Sequence, residues 1–398
     1  MANRTYYGEY SLGHWIRLLL SRNIVLPPYQ RHFVWTKENV EAMAHSLKEE
    51  RFVPPITIGA FHSGKDVVNY IIDGQQRLTA LLLLYIGKYP LLEKFEGRGI
   101  NLATDSIVDD EADGEGFDYS KEWTYNEILK GGENGRGDIL ARCDDEIYED
   151  LALSFTEQEL KERFIGFAYI VPESRDPKKQ QEFYTREFKE LNTLGIELNP
   201  LESRRSLYFW DKTLTDFFEP PFAKNVVLRG VNKTSRACCL DFVRYLALMS
   251  DYARNETCDN VASGWKKNIE GYYFQYICAV VGAKESQRFI SFDDVFPGRR
   301  YQERMDVLKK AVSDLSFMRE HQSIIELDVE FMGLIYWILI KNRMLKQFEL
   351  NELKSDIAKK VKQFKKDAVH AKAPGLLKYL RARIQASCDI YQKRVQDV

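Results

Sequence analysis

The sequence is poor in the residues that metal sites and disulfide frameworks need. Its 398 residues include 6 cysteines with no CxxC pair and 6 scattered histidines. This pattern gives little support to a zinc site or to structural disulfides. We therefore expect reduced thiols, as in a cytoplasmic protein, and histidines that serve as surface or packing residues. The sequence assigns no metal ligand with certainty.

Long apolar runs are also missing. The longest run, FMGLIYWILI at residues 331–340, is about half as long as a transmembrane helix and indicates a buried helix. The first 20 residues lack the apolar segment and the small-residue cleavage site of a signal peptide. We expect a cytoplasmic protein without membrane contact.

The chain has no large excess of charge of either sign. A formal net charge of −2 argues against a protein that coats nucleic acid over its whole surface, but it allows a local basic groove. Residues 354–378 are rich in lysine, and we predict DNA contact by five of them: Lys359, Lys360, Lys362, Lys365 and Lys366. Two alternatives remain open, a solvated helix face and a contact with the acidic tract of a partner subunit.

The length of the chain predicts two domains. Residues 1–210 alternate helix and strand patterns and predict a small α/β domain, whereas residues 211–398 are mostly helical in pattern. The fold class is therefore α+β. Residues 101–142 form an acidic, glycine-containing tract that we expect to be a mobile insertion.

One stretch, YIIDGQQRLTALLLLY at residues 70–85, places polar residues between a strand pattern and a helix pattern. Gly74 allows a tight turn, so Gln75 and the residues after it begin a helix, where an anion is favoured. Asp73 can hold a metal, orient a water or fix Arg77, and Arg77 can neutralise phosphoryl charge. Gln76 can position a water but cannot act as a base. The alternative is ordinary capping by Asp73 with a solvated Arg77.

Two further stretches also combine amide side chains with charged ones. LPPYQRHFVW, residues 26–35, predicts an extended arm whose prolines present Tyr29, Gln30 and Arg31. A structural salt bridge between Arg31 and Asp73 is the alternative. FKELNTLGIELNPLE, residues 188–202, taken alone is a helix that ends at a glycine.

Together the three stretches resemble the N-terminal domain of GmrSD-type modification-dependent restriction proteins and of their relatives in phosphorothioate-sensing phage defence. That family is similar to the ParB and sulfiredoxin fold, in which a glycine–arginine turn before a helix binds nucleotide. The resemblance implies catalytic roles for Asp73, Gln76 and Arg77. It implies nucleotide binding by the following residues: Tyr29, Gln30, Arg31, Gly74, Gln75, Asn192, Thr193 and Gly195.

The resemblance implies an anti-phage component that binds a nucleoside triphosphate (GTP, ATP or CTP), with Mg²⁺ or another divalent cation, and hydrolyses it in connection with foreign or modified DNA. Many relatives continue into a histidine–asparagine–histidine nuclease. Here His321 and His370 lack the neighbouring residues of such a site. Two alternatives stay open: a nonenzymatic sensor subunit for a partner effector protein, and an N-terminal domain that itself nicks DNA. The oligomeric state is not specified.

Overall fold

The computed structural model divides into two compact units, one within residues 1–97 and 118–210 and the other within 211–398. The structure describes these residues: 3–27, 32–63, 66–95, 123–129, 134–176, 179–180, 183–184, 187, 204–208, 212–229, 238–264, 269–282 and 286–397.

The first unit is built on a four-stranded sheet with the strand order β1-β6-β2-β3. β1 runs antiparallel to β6, β6 parallel to β2, and β2 antiparallel to β3. The strands of this sheet are β1 (Arg4–Ser11), β2 (Ile56–Ser63), β3 (Asp66–Asp73) and β6 (Phe164–Val171). A separate antiparallel pair joins β4 (Lys88–Pro90) to β5 (Tyr148–Asp150). The helices are α1 (Leu12–Leu20), α2 (Lys37–Lys48), α3 (Gln75–Ile86), α4 (Arg136–Leu140) and α5 (Glu157–Glu162).

Local chemistry sets several boundaries of these elements. Thr36 begins α2 by accepting a hydrogen bond from the backbone N–H of Asn39, whose side chain accepts the N–H of Thr36 in return. α3 lies between Gly74 and Gly87, both in the left-handed region. Ten of the twelve residues of α3 are buried, so this helix forms the centre of the core of the unit.

Part of the tract at 101–142, predicted to be a mobile insertion, is packed in the core of the first unit. Trp123, Tyr125, Ile128 and Ile139 are at most 2% exposed and belong to the hydrophobic core of the first unit. The aromatic and branched side chains of this part bury enough apolar surface to order it, despite its polar sequence. The remaining residues of the tract, 101–122 and 130–133, lie outside the described residues.

The second unit is mainly helical. Its helices are α6 (Lys212–Phe218), α7 (Phe242–Asn255), α8 (Ile269–Val281), α9 (Phe292–Val295), α10 (Gln302–Asp314), α11 (Ile324–Ile335), α12 (Leu350–Lys366), α13 (Ala368–Lys372) and α14 (Leu377–Gln392). Short strands form two small sheets: β7 (Val227–Leu228), β8 (Cys238–Cys239) and β9 (Glu320–His321) in one, β10 (Arg343–Leu345) and β11 (Val395–Asp397) in the other. The predicted fold class, a small α/β domain followed by a mostly helical one, is confirmed.

The long apolar run of the sequence lies inside the second unit. α11 and the π-helical turn Tyr336–Ile340 that continues it are almost entirely buried, and α11 packs closely on α14. Gly333 is needed at this contact, because a Cβ there would lie 2.4 Å from the carbonyl oxygen of Ser387. Within the described ranges, none of the helices combines the length and apolarity required to span a bilayer.

Candidate functional site

The polar turn of the first unit joins the end of β3 to the start of α3, as predicted. Gly74 adopts φ 95°, and a Cβ at this position would lie 2.5 Å from Cδ1 of Ile56. Both the backbone conformation and the close approach of β2 therefore require glycine. The N-cap residue of α3 is Gly74, which makes no side-chain hydrogen bond to the first N–H groups of the helix, and the end of a helix where these groups lie is its positive end.

Asp73 is held by Arg77 instead of capping the helix. The Nη2 of Arg77 donates to Oδ2 of Asp73 at 2.5 Å. The side chain of Asp73 is 54% exposed, whereas that of Arg77 is 13% exposed. The expectation of a solvated Arg77 and a capping Asp73 is therefore wrong. A carboxylate that is fixed by an arginine and open to solvent can still accept a further ligand.

The remaining contacts of Arg77 are structural. Its Nη1 donates to the carbonyl oxygen of Pro54 and, at 2.8 Å, to that of Pro55. These prolines lead into β2, so Arg77 joins three segments: the entry to β2, the end of β3 and the first turn of α3. The geometry favours Arg77 as the residue that positions Asp73.

Gln76 is buried and holds the arm that follows Arg31. Its Oε1 accepts the N–H of Val34 at 3.0 Å, and its Nε2 donates to the carbonyl oxygen of His32 at 3.1 Å. Both ends of the amide are thus bonded to the backbone, which indicates a positioning role. Phe33 anchors the same segment with a fully buried ring.

The other end of the arm is also attached beside the turn. The N–H of Val25 donates to the carbonyl oxygen of Asn69, and the N–H of Ile71 donates to the carbonyl oxygen of Val25, both at 3.0 Å. Ile71 lies two residues before Asp73. Val25 is therefore bonded to β3 and His32 to Gln76, close in sequence to the turn.

The predicted site residues divide into two groups. Asp73, Gly74, Gln75, Gln76 and Arg77 are described, and Gln75 and Gln76 are both buried. The others lie outside the described residues: Tyr29, Gln30, Arg31, Asn192, Thr193 and Gly195. Among the described residues, no group of three or more histidine, cysteine, aspartate and glutamate side chains is placed to hold a metal. A single carboxylate such as Asp73 fits Mg²⁺, which usually takes one or two carboxylates together with substrate phosphates and waters.

The histidines of the second unit are buried. Nε2 of His321 lies 2.6 Å from Oε2 of Glu330. Nε2 of His370 lies 2.9 Å from Nη1 of Arg383. Burial and the Arg383 charge lower the pKa of His370 to about 4. Both imidazoles are therefore bonded to charged side chains within the second unit.

The predicted DNA-binding lysines lie on α12, and three of the five line one groove. Lys362, Lys365 and Lys366 line this groove, which has a volume of about 700 Å³. Lys359 and Lys360 are not among its lining residues: Lys359 lies 3.8 Å from Asp356, and Lys360 donates to Gln363 at 3.0 Å. The groove was not predicted from the sequence.

Comparison with known proteins gives a family match for the first unit. Residues 16–209 match the model of the GmrSD restriction endonuclease N-terminal domain. The GmrSD match includes the turn, the arm and residues 192–195, and it ends before the helical unit. The resemblance seen in the three sequence stretches is therefore confirmed.

The other comparisons are less informative. An uncharacterized protein of Methanocaldococcus jannaschii is 23% identical over 251 residues, which cover 52% of this chain and 43% of that protein. The chain thus spans less than half the length of that relative, whose name carries no activity. No solved structure gives a significant match, so the likeness to the ParB and sulfiredoxin fold rests on the motif resemblance alone.

Proposed function

We propose that the GmrSD-type unit binds a nucleoside triphosphate with Mg²⁺ at the DGQQR turn and hydrolyses it, as part of a restriction-type defence against phage DNA. The single observation that supports this proposal is the state of Asp73. It is an exposed carboxylate, fixed by Arg77 at 2.5 Å, beside the uncapped start of α3. Helix N-termini of this kind favour phosphate.

The described side chains suggest a division of roles at this turn. Asp73 orients the attacking water or contributes to Mg²⁺ binding, and the backbone at the start of α3 receives phosphate. Arg77 holds Asp73, while Gln76 holds the arm. The family resemblance assigns nucleotide contacts to two further sets of residues. These are Tyr29, Gln30 and Arg31 of the arm, and Asn192, Thr193 and Gly195. The bound nucleotide supplies the phosphoanhydride bond that is cleaved.

The first test is calorimetric titration of the intact protein with GTP, ATP and CTP in the presence of Mg²⁺, followed by phosphate release. Asp73→Asn should lower turnover about 100-fold or more, the usual range for a lost acid–base or water-orienting group, with a smaller effect on binding. Arg77→Ala should weaken both binding and turnover, because it releases Asp73 and the entry to β2. Asp66→Asn is the matched control, since Asp66 lies exposed at the other end of β3.

Two results would contradict the proposed site. One is turnover at the wild-type level in Asp73→Asn, and the other is absence of binding for all three nucleotides. Circular dichroism of each variant checks that the chain remains folded.

A second function, nucleotide sensing without hydrolysis, is favoured by one observation. Arg77 donates to the carbonyl oxygens of Pro54 and Pro55 as well as to Asp73, which limits its freedom to follow charge on a transferring phosphoryl group. In this case the same titration gives binding without phosphate release, and a partner effector protein carries out the response.

A further inference from the structure

The groove of the second unit combines an apolar floor with a cationic rim. Its floor includes Phe317, Ile357 and Val361, and its rim carries Lys362 and Lys366. The volume of about 700 Å³ is in the range of small-molecule sites. The groove is therefore large enough for a ligand about the size of a nucleotide, and its lysines favour a ligand that carries negative charge.

The carboxylates of the groove are already neutralised by neighbours. Nη2 of Arg319 donates to Glu326 at 3.0 Å and to Glu330 at 2.6 Å. Glu330 also pairs with His321 at 2.6 Å, and Lys365 lies 3.9 Å from Glu326. Arg319 is thus occupied within the wall and is not a free anchor for a ligand.

The rim lysines have no such partners. Across the described ranges, neither Lys362 nor Lys366 has an ion pair, and both are exposed. Lysine binds phosphate as a point charge and does not read base edges in the bidentate manner of arginine. The rim therefore suits a phosphate backbone without sequence preference.

We propose that this groove binds a nucleotide of DNA whose base lies outside a duplex, either in a single strand or extruded from a double strand. The base would occupy the apolar floor, and the flanking phosphates would pair with Lys362 and Lys366. A stacked duplex keeps its bases inside and can offer the rim only phosphates, so it cannot fill the floor. The choice of DNA over an acidic peptide rests on the proposed restriction function, but not on nucleotide hydrolysis.

The test uses the full chain and a fluorescein-labelled single strand of about 16 nucleotides, compared with the duplex of the same sequence. Fluorescence anisotropy should show tighter binding of the single strand, by about tenfold or more. The double variant Lys362→Ala/Lys366→Ala should weaken that binding about tenfold or more. It should also reduce the slope of log K against log salt by about 1.4, since each phosphate contact contributes about 0.7. The variant Lys309→Ala/Lys310→Ala removes the same charge from exposed positions of α10 outside the groove lining and should change affinity less than about threefold.

A second pair of variants tests the floor without changing charge. Ala358 lines the groove and is exposed, so Ala358→Phe fills the space at little cost to folding. This variant should weaken single-strand binding and leave duplex binding unchanged. Gln363→Phe, on α12 but outside the groove lining, is its control. A duplex with one unpaired nucleotide tests whether an extruded base is enough. If it binds about as tightly as the single strand, one base outside the duplex is sufficient for binding to the groove.

Several outcomes would overturn the inference. These are absence of single-strand binding, equal affinity for duplex and single strand, or equal effects of the groove variants and their controls. Competition by labelled polyglutamate at similar affinity would assign the groove to an acidic peptide. If the groove variants weaken DNA binding but no nucleoside triphosphate is bound, the nucleotide site at the turn is rejected and the DNA site in the groove is kept. If nucleotide is hydrolysed but no DNA is bound, the nucleotide site is kept and the DNA site is rejected.

Discussion

The two units place an aspartate beside arginine in very different surroundings. Asp73 of the first unit pairs with Arg77 and keeps 54% of its side chain exposed. Asp328 of the second unit has no exposed side-chain surface and lies between Arg244 at 2.6 Å and Arg383 at 2.8 Å. The chemistry of the pair is similar, but only the first carboxylate can meet a ligand from solvent.

The buried carboxylate uses its hydrogen-bonding capacity within the protein. Oδ1 of Asp328 accepts from Arg244 and from the hydroxyl of Tyr245, and Oδ2 accepts from Arg244 and Arg383. Burial raises the pKa of Asp328, but the two arginines lower it further, so the net pKa is below its usual range. The comparison shows that the number of charge contacts does not indicate function. Exposure of a fixed charge is the better sign of a ligand site.

The largest predicted effect is loss of the buried charge. Asp328→Asn leaves Arg244 and Arg383 without their counter-charge, which should destabilise the second unit by about 3–5 kcal/mol. Hydrogen exchange measured by mass spectrometry can follow amide protection in α11 and α14, with α3 of the first unit as the internal reference. Loss of less than about 1 kcal/mol of protection in α11 would show that the burial of Asp328 is not as complete as the contacts indicate.

The next effect depends on pH and involves the same network. His370 accepts from Arg383 and stacks on Tyr379 with ring centroids 4.3 Å apart. Its pKa is lowered from 6.5 to about 4 by burial and then by Arg383. As the pH falls, His370 of the unfolded chain takes up a proton before His370 of the folded chain. The free energy of unfolding is therefore unaffected by this residue above about pH 6.5, and it decreases by up to about 3 kcal/mol as the pH falls towards about pH 4.

The measurement is urea unfolding followed by circular dichroism at about pH 7 and about pH 4.5. His370→Gln keeps an acceptor for Arg383 without a titrating group, so it should lose less stability than the wild type over this interval. An identical pH dependence in the two proteins would mean that other groups carry the acid sensitivity.

Much of the first unit was predictable because the signals are local. The Thr36 cap, the β2–β3 hairpin and the strand–turn–helix at Asp73 depend on residues within a few positions of one another, and each appears in the structure. Gly74 was predicted as a turn residue from its type alone. Its close approach to Ile56 depends on the exact register of the β2–β3 hairpin, which residue types do not specify.

The roles of Gln76 and Arg77 show where local reasoning stops. Their residue types fit phosphate chemistry, but the structure bonds Gln76 to the backbone of His32 and Val34 and bonds Arg77 to two proline carbonyls. These partners are brought near by the fold. The core position of Trp123 was likewise not predicted, because this residue stands in a tract that is mostly polar.

The division of the α12 lysines was not predictable from the sequence. Lys359, Lys362 and Lys366 have the spacing i, i+3 and i+7, which places them near one face of a helix, yet Lys359 does not line the groove. The groove was not predictable either, because its opposite wall comes from Phe317 and Arg319, which are distant along the chain.

The smallest predicted effect completes the comparison of the two carboxylates. Asp73→Asn should change the free energy of unfolding by less than about 1 kcal/mol, because exposed ion pairs contribute little to stability. Hydrogen exchange in α3, measured as for Asp328→Asn, checks this value. A loss as large as that of Asp328→Asn would make Asp73 a structural residue and would remove the reason to place chemistry at the turn. A small loss of protection together with a large loss of turnover is the combination expected of a charge held in place for a ligand.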